Sequence, residues 1–245
     1  MNAKTMTAVA LLALGLAASA KEAVIFVGAH PDDSEGYAAT AFLLRDTYDI
    51  HVVDLTRGEL GLGWEGLNDG TTAALRVKEE QEACAYLGAT PHFLPEVDGS
   101  AHASREATAA LTKMIDELKP RAIFTHWPVD GHADHVQAAA VTANAWRFAK
   151  HRPERYFFEV QFAQTANYRP LYYIDVTSTI TNKLTMLRKY ACQNAGDEIS
   201  KDNLARAEQR GREAGFAYAE TFTSYDGKPV AGGILEPLKK KIRKD

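Results

Sequence analysis

Two short polar strings carry side chains of the types needed to bind a divalent metal ion and to activate water. The strings are His-Pro-Asp-Asp and His-Ala-Asp-His, and their polar members are His30, Asp32, Asp33, His132, Asp134 and His135. Two imidazoles and one carboxylate make a three-ligand set that leaves a coordination position open for water, as in catalytic zinc sites. Zinc lowers the pKa of such a water to about 7, and a further carboxylate can then accept its proton. These residue types therefore indicate a hydrolytic metal centre, with Fe²⁺ as the alternative to Zn²⁺.

Each string follows, within a few residues, a run that is predicted to form a β-strand. The apolar residues 24–27 precede Gly28, Ala29 and the first string, and residues 121–125 precede the second. In the common doubly wound sheets these two strands, the first and the fourth, are neighbours, and ligands bind beyond their carboxyl ends. Either string alone could be a chance turn or helix cap. Their positions after two adjacent strands favour one shared site.

The rest of the chain alternates between predicted strands and predicted helices. Periodicity, caps and breakers predict further strands at 50–55, 91–94, 156–162 and 171–176, and helices at 34–45, 71–87, 104–118, 135–150, 177–190 and 200–219. Four successive strand–helix units require right-handed crossovers. We therefore predict one α/β domain of Rossmann-like type, in which a mostly parallel sheet has helices on both faces.

The glycine-rich loop after the second predicted strand, and the histidines outside the two polar strings, give weaker signals. The glycine-rich segment 58–70 has neither phosphate-binding fingerprint, which argues against a nucleotide-binding module and favours a wall of the crevice. Five other histidines have no partners in the pattern and are interpreted as ordinary residues: His51, His92, His102, His126 and His151. Among these, His126 lies nearest to the site because it ends the fourth strand.

Composition and charge exclude some classes of function. The net charge of -4 provides no basic footprint for a nucleic acid, and the one basic cluster, residues 239–244, is expected to be a solvated tail. Two cysteines are too few for a thiolate zinc site, and Cys84 is predicted to be a buried thiol.

The N-terminus resembles a secretory signal. Lys4 precedes an apolar run over residues 6–17, and Ala18-Ser19-Ala20 is a small-residue cleavage site. The run is too short to span a membrane. We expect residues 1–20 to be a signal peptide, residues 21–245 to form the domain, and the mature protein to be exported, or cytoplasmic if this segment is not a true signal.

The two polar strings, together with several shorter ones, resemble the LmbE/PIG-L family of zinc-dependent N-deacetylases. The matching segments include AHPDD at 29–33, GHADH at 131–135, DLTRGELG at 54–61, RVKEE at 76–80, LG at 87–88, IDV at 174–176, Lys183, Tyr190 and YAETF at 218–222. The later segments are most similar to the branch that includes bacillithiol-pathway deacetylases. The resemblance extends over nearly all of the chain after residue 20.

The resemblance implies a role for each polar residue of the two strings. The metal ligands would be His30, Asp33 and His135, and Asp32 would be the general base. His132 would stabilise the tetrahedral oxyanion and protonate the leaving amine, while Asp134 would hold the His132 ring. Since Asp134 is only two residues from His132, that last role requires an irregular turn.

The resemblance also implies two substrate contacts, each with a structural alternative. Arg76 would lie near the reacting group, or else pair with Glu79 or Glu80 on a helix surface. Tyr218 would lie near the active site, or else pack in the core. The family usually has proline at position 133 and often arginine at 131, where this chain has Ala133 and Gly131. The loss of that arginine removes an expected charged contact to an anionic substrate.

These observations lead to one hypothesis and two alternatives. The hypothesis is a metal-dependent hydrolase that removes acetyl from an N-acetylated amino sugar of the N-acetylglucosamine type, present in a small molecule or a glycan. The alternatives are hydrolysis of another amide and a secreted, non-catalytic sugar-binding module. We expect no nucleic-acid partner and no membrane span, and a homo-oligomer is left open.

Overall fold

The chain folds around a mixed β-sheet. The computed structural model describes residues 21–62 and 70–242, with side chains up to residue 238. Within that part, the strands are β1 (Ala23–Gly28), β2 (Asp49–Asp54), β3 (Thr90–Phe93), β4 (Ala122–His126), β5 (Glu154–Phe158), β6 (Tyr172–Asp175), β7 (Ala219–Ser224) and β8 (Lys239–Ile242). Their order across the sheet is β3-β2-β1-β4-β5-β7-β6-β8. The first five strands are mutually parallel, while β7, β6 and β8 pair in antiparallel fashion.

Helices cover both faces of the sheet, as predicted. They are α1 (Ala38–Leu44), α2 (Thr71–Leu87), α3 (Arg105–Leu118), α4 (Ala133–Phe148), α5 (Ile180–Leu187) and α6 (Glu198–Ala214), with a 3₁₀ turn at Asp33–Gly36. Residues of α1, α2 and α5 pack with one face of the sheet, and residues of α3 and α4 pack with the other. All six residues of β1 are buried because both faces of this central strand are covered. None of the helices in the described ranges is long and apolar enough to cross a membrane.

Several helix ends follow directly from the local sequence. The hydroxyl of Ser104 accepts a hydrogen bond from the backbone N–H of Ala107 and so caps α3 at its predicted start. Gly88 ends α2 with a φ of 80°, a left-handed conformation that glycine adopts without a steric penalty. These ends confirm the predicted bounds of both helices.

Three predicted boundaries are wrong for tertiary reasons. The predicted helix from Ser34 is a 3₁₀ turn followed by the separate helix α1, and Ser34 makes no cap; its hydroxyl bonds Tyr190 instead. The predicted helix 200–219 ends at Ala214, because Gly215 has a φ of 79°, and strand β7 begins at Ala219. The predicted solvated tail instead pairs over Lys239–Ile242 with β6 as an edge strand.

The expected signal peptide, residues 1–20, lies outside the described residues, as do residues 63–69 of the predicted crevice wall. The predicted neighbourhood of the first and fourth strands is confirmed, since β1 and β4 pair in parallel with Phe26 opposite Phe124. Both polar strings consequently lie at the same edge of the sheet.

Candidate active site

The two polar strings converge beyond the carboxyl ends of β1 and β4. The ring of His30 lies 4.7 Å from that of His132 and 5.5 Å from that of His135, measured between centroids. His132 and His135 stack at 4.6 Å, because three residues along the first turn of α4 place them on one face. The predicted meeting of the two strings is therefore present in the structure.

The carboxylate of Asp33 lies between His30, the first residue of the first polar string, and His135, the last residue of the second. Its Oδ1 is 3.3 Å from Nε2 of His135, and its Oδ2 is 3.7 Å from Nδ1 of His30. Oδ2 also accepts backbone N–H bonds from Ala29 at 2.6 Å and from His30 at 2.9 Å. Burial opposes ionisation of this carboxyl, but His126 and His135 outweigh it and hold its pKa well below the usual range. Asp33 is thus a buried, fixed carboxylate between two imidazoles.

In both His30 and His135, the remote ring nitrogen, which is the one that points away from Asp33, contacts one or more carboxylates. Nε2 of His30 is 3.2 Å from both Asp98 and Asp134, and Nδ1 of His135 is 3.1 Å from Asp130. Burial lowers the pKa of both rings, yet the carboxylates outweigh it and raise the pKa of His30 to about 9 and that of His135 to about 10.

This pattern is the one that metal-ligating histidines show in proteins. A carboxylate that binds the remote N–H fixes the ring and raises the basicity of the inward nitrogen. Three groups of side chains have donor atoms close enough to share an ion: His30 with His132 and His135; Asp33 with His126 and His135; His30 with Asp98 and Asp134. Among the described residues, His30, Asp33 and His135 each belong to at least one of these groups but do not form one together, so the buried cluster could hold a metal ion while its exact ligand set stays a prediction.

Asp134 does not hold His132 in the way that the resemblance implied. Its carboxylate contacts His30 and accepts a hydrogen bond from the backbone N–H of Gly99 at 2.7 Å. His132 is the N-cap of α4, and its Nδ1 accepts a hydrogen bond from the backbone N–H of Asp134 at 3.3 Å. At the start of a helix, the side chain of the N-cap residue can accept a hydrogen bond from the backbone N–H two residues later. The side chains of these two residues point in different directions. The Asp134 carboxylate consequently supports a different ring from the one expected.

Arg76 is buried at the site and is not a surface residue. One of its terminal nitrogens lies 2.9 Å from Oδ1 of Asp32 and also donates to the carbonyl of Pro31. A Cβ at Gly58 or at Gly61 would come within 2.7 Å of the guanidinium, so the absence of side chains at these two positions makes room for it. The alternative of a surface arginine paired with Glu79 or Glu80 is wrong.

Glu79 and Glu80, the partners of Arg76 in that alternative, make hydrogen bonds with the two cysteines instead. Glu79 accepts hydrogen bonds from the backbone N–H and the thiol of Cys192, and Glu80 accepts one from the thiol of Cys84.

Asp32, the partner of Arg76, has a pKa raised to about 7, because desolvation outweighs the opposing charge of Arg76. A carboxyl with a pKa near neutrality suits general-base chemistry.

Tyr218 is a packing residue in this structure. Its side chain is half-buried against the core cluster that contains β1, α1 and α5, and it does not line the cavity. The structure therefore favours the structural alternative, and a substrate contact at Tyr218 stays an untested prediction. Strand β7, which was not predicted, begins at the next residue and fixes Tyr218 beside the core.

Three residues at the site were missed by reasoning from the sequence. His126 is buried, with Nε2 3.0 Å from Oδ2 of Asp33, and its ring stacks on His135 at 4.1 Å. Asp98 and Asp130 bind the remote nitrogens described above. The position of His126 at the end of β4 was a usable signal, whereas Asp98 lies alone in the loop after β3.

A cavity of about 390 Å³ opens at this edge of the sheet. Its lining residues include His30, Asp32, Asp33, His132 and His135, together with Arg76, which pairs with Asp32. Glu35, three glutamines and Ile199 also line it. The candidate metal ligands and the candidate base therefore face one space of the size of a small-molecule site.

Comparisons with known proteins agree with this arrangement. The family model described as PIG-L: GlcNAc-PI de-N-acetylase matches residues 25–146, which contain both polar strings. A 1D-myo-inositol 2-acetamido-2-deoxy-alpha-D-glucopyranoside deacetylase of Mycolicibacterium vanbaalenii is 32% identical over 162 residues, covering 52% of this chain and 57% of the relative. The chain thus spans little more than half the length of that curated relative.

Solved structures share the fold over most of the chain. N,N'-diacetylchitobiose deacetylase from Pyrococcus horikoshii superposes with a TM-score of 0.72 at 23% identity and covers 84% of both chains. GalB, a 4-carboxy-2-hydroxymuconate hydratase of Pseudomonas putida, has a TM-score of 0.72 at 21% identity and covers 85% of this chain and 98% of its own. Because the two neighbours differ in reaction, the fold alone does not determine the chemistry. The family model nevertheless matches both polar strings, and over residues 25–146 the chain belongs to the PIG-L (LmbE) family.

Proposed function

We propose that this chain is a zinc-dependent N-deacetylase that releases acetate from an N-acetylated amino sugar. The observation that carries the proposal is the arrangement around Asp33. His30 and His135 direct one nitrogen each toward its two oxygens, while carboxylates bind their remote nitrogens. Family membership supports the same reading, because the family model and the curated relative are both described as acting on N-acetylated sugars.

The residues around the cavity can divide the reaction between them. A divalent ion held by His30, Asp33 and His135 supplies a more acidic water and polarises the amide carbonyl when it is bound. Asp32 accepts a proton from the water while the oxygen of the water attacks the acyl carbon. Arg76 fixes the Asp32 carboxylate on the cavity side of the 3₁₀ turn.

His132, which also lines the cavity, completes the set. It stabilises the oxyanion that develops on the acyl oxygen. As the carbon–nitrogen bond breaks, His132 passes a proton to the amine nitrogen and the proton held by Asp32 replaces it, so both side chains return to their starting states. The hydrogen bond from the backbone of Asp134 to Nδ1 leaves Nε2 as the ring's proton-bearing nitrogen in the neutral form. The products are acetate and a free amino sugar, with the water's oxygen in the acetate.

The test is acetate release from a panel of N-acetylglucosamine derivatives, measured together with the metal content of the protein. We expect turnover with at least one derivative. Asp32→Ala should retain the metal and lose activity, whereas His135→Ala should lose both. Turnover of unrelated amides alone would support the alternative amidase, and sugar binding without acetate release would support the non-catalytic module. Unchanged turnover in Asp32→Ala would remove that residue from the role of base.

The identity of the metal is part of the proposal. Two histidines and one carboxylate suit Zn²⁺ and also Fe²⁺. Reconstitution of chelator-treated protein with each ion, under anaerobic conditions for Fe²⁺, should restore acetate release with Zn²⁺. Recovery with Fe²⁺ alone would correct the assignment.

We also propose that the protein is exported after cleavage near Ala20, on the basis of the signal-like N-terminus. The N-terminal residue and the mass of protein recovered from outside the cytoplasm test this. A mature chain that begins at Met1 inside the cell would contradict it.

A further inference from the structure

Glu35 is a buried carboxylate at the cavity that the proposed mechanism does not use. It lies in the 3₁₀ turn directly after the first polar string and is 6% exposed. Its backbone carbonyl accepts hydrogen bonds from Nζ of Lys183 at 2.6 Å and from Arg206 at 2.5 Å. Two buried cations therefore fix the main chain at this residue.

The two carboxylate oxygens of Glu35 have different surroundings. Oε2 accepts a hydrogen bond from the side-chain amide of Asn203 at 2.7 Å. Among residues 21–62 and 70–242, none bonds to Oε1, although Glu35 lines the cavity beside His30 and Asp32. Oε1 is not one of the enclosed polar atoms that lack a partner, so it lies open to the cavity. Oε1 is thus an oriented acceptor that a ligand in the cavity can satisfy.

The wall next to Glu35 suits a polyhydroxylated ring. Gln161 and Gln164 provide both donors and acceptors, and Ile199 provides an apolar surface. Gln193 provides an acceptor, because its side-chain nitrogen already donates to Gly61 and Cys192. The turn with Gln161 and Gln164 is held against the second polar string, because the carbonyl of Gln164 accepts a hydrogen bond from the N–H of Gly131 at 2.8 Å. The position of this wall relative to His132 is therefore fixed by the backbone.

We propose that Glu35 is a specificity-determining residue, whose Oε1 accepts a hydrogen bond from a ring hydroxyl of the amino-sugar substrate. This inference rests on the proposed function. It assigns the contact with a substrate hydroxyl to a residue separate from the metal ligands and the base. Lys183 and Arg206 hold the backbone carbonyl of this residue, and Asn203 holds its side chain. A site built around a buried acceptor rejects an analogue that lacks the matching hydroxyl, because the acceptor is then left unpaired.

The experiment compares kcat/KM for methyl N-acetylglucosaminide with kcat/KM for its 3-, 4- and 6-deoxy analogues. The native enzyme should disfavour one analogue by about 10- to 100-fold, the range for a hydrogen bond to a charged group. In Glu35→Gln that discrimination should fall to less than about threefold, while the ratios for the other analogues stay unchanged. A merely structural role, or an altered charge near Asp32, would scale all four substrates alike and leave the ratios intact.

Glu159→Gln is the matched control. Glu159 is also a buried glutamate, but it binds Arg210 and Thr221 and does not line the cavity. This variant should keep the full discrimination of the native enzyme. The inference is overturned if Glu35→Gln discriminates as the native enzyme does, or if the native enzyme treats all deoxy analogues alike.

Failure of the proposed function would be recognised separately. If the native enzyme releases no acetate from the parent glycoside, the deacetylase proposal fails. Calorimetric binding of the same four glycosides to native protein and to Glu35→Gln then decides the role of Glu35, with the same ratios expected in Kd. Equal affinity of the native protein for all four glycosides would overturn it.

Discussion

The guanidinium of Arg76 lies 2.9 Å from the carboxylate of Asp32, although the two residues come from a helix and a turn separated by 43 positions of sequence. Arg76 is 4% exposed, so this pair is shielded from solvent on the arginine side. A fixed cation beside the candidate base restricts its orientation and favours its ionised form. We therefore expect Arg76 to act on the proposed chemistry through Asp32.

Replacing Arg76 should reduce turnover without removing the metal. We expect Arg76→Met to lower kcat by about 10- to 100-fold, because a misplaced base loses the benefit of orientation. Arg76→Lys should recover part of the rate, since it restores the charge but not the planar fork. Steady-state kinetics with metal analysis provide the measurement. A variant with native kcat, or one that has lost its metal, would contradict this role.

Asp134 and Asp98 should control metal affinity through His30. Removing a carboxylate that supports a metal-ligating histidine typically costs 10- to 100-fold in affinity, so we expect roughly that loss in Asp134→Asn. Asp98→Asn should behave similarly, because its contact with Nε2 of His30 is also 3.2 Å. Competition with a chelator measures the Kd. Asp116→Asn, which changes a carboxylate bonded to the N–H groups of Lys150 and His151, is the matched control and should leave the Kd unchanged.

The buried pair of Lys183 and Glu220 should matter for stability. Their charged groups are 2.8 Å apart and both side chains are buried. Lys183→Met leaves the Glu220 carboxylate without its cation, at a cost of about 3–5 kcal/mol in the free energy of unfolding. The double variant with Glu220→Gln should recover part of this loss. Denaturant titration measures both, and Lys78→Met, in an exposed pair with Glu82, should change the same quantity by less than about 1 kcal/mol.

The two cysteines should differ in reactivity with pH. Burial and, as a second cause, the nearby Glu79 raise the pKa of Cys192 to about 11. Burial and the nearby Glu80 raise the pKa of the Cys84 thiol further still. Since only the thiolate reacts, alkylation of Cys192 should be slow at pH 7 and should rise about tenfold per pH unit until its pKa is approached. Cys84 should react only after unfolding. Mass spectrometry of iodoacetamide-treated protein tests this, and rapid labelling of either residue at pH 7 would contradict it.

Local sequence signals were sufficient for the fold class and for the centre of the site. Alternating strand and helix patterns predicted the parallel half of the sheet, and the breaker Gly88 and the cap Ser104 predicted helix ends that the structure confirms. The same patterns did not predict β7 or β8. Antiparallel pairing of β7 and β8 with β6 depends on partners far along the chain, so no short window of sequence signals it.

Local patterns in the chain predict that two polar strings follow adjacent strands, and hence that His30, Asp32 and Asp33 lie opposite His132, Asp134 and His135. The groups that support these side chains are set by tertiary packing. Asp98 and Asp130 reach the rings from separate loops, Asp134 turns to His30 instead of His132, and Arg76 is enclosed beside Asp32. Ligand types and their spacing within a string are local properties. The partner of a buried charge is chosen by packing between distant elements, which a single sequence does not display.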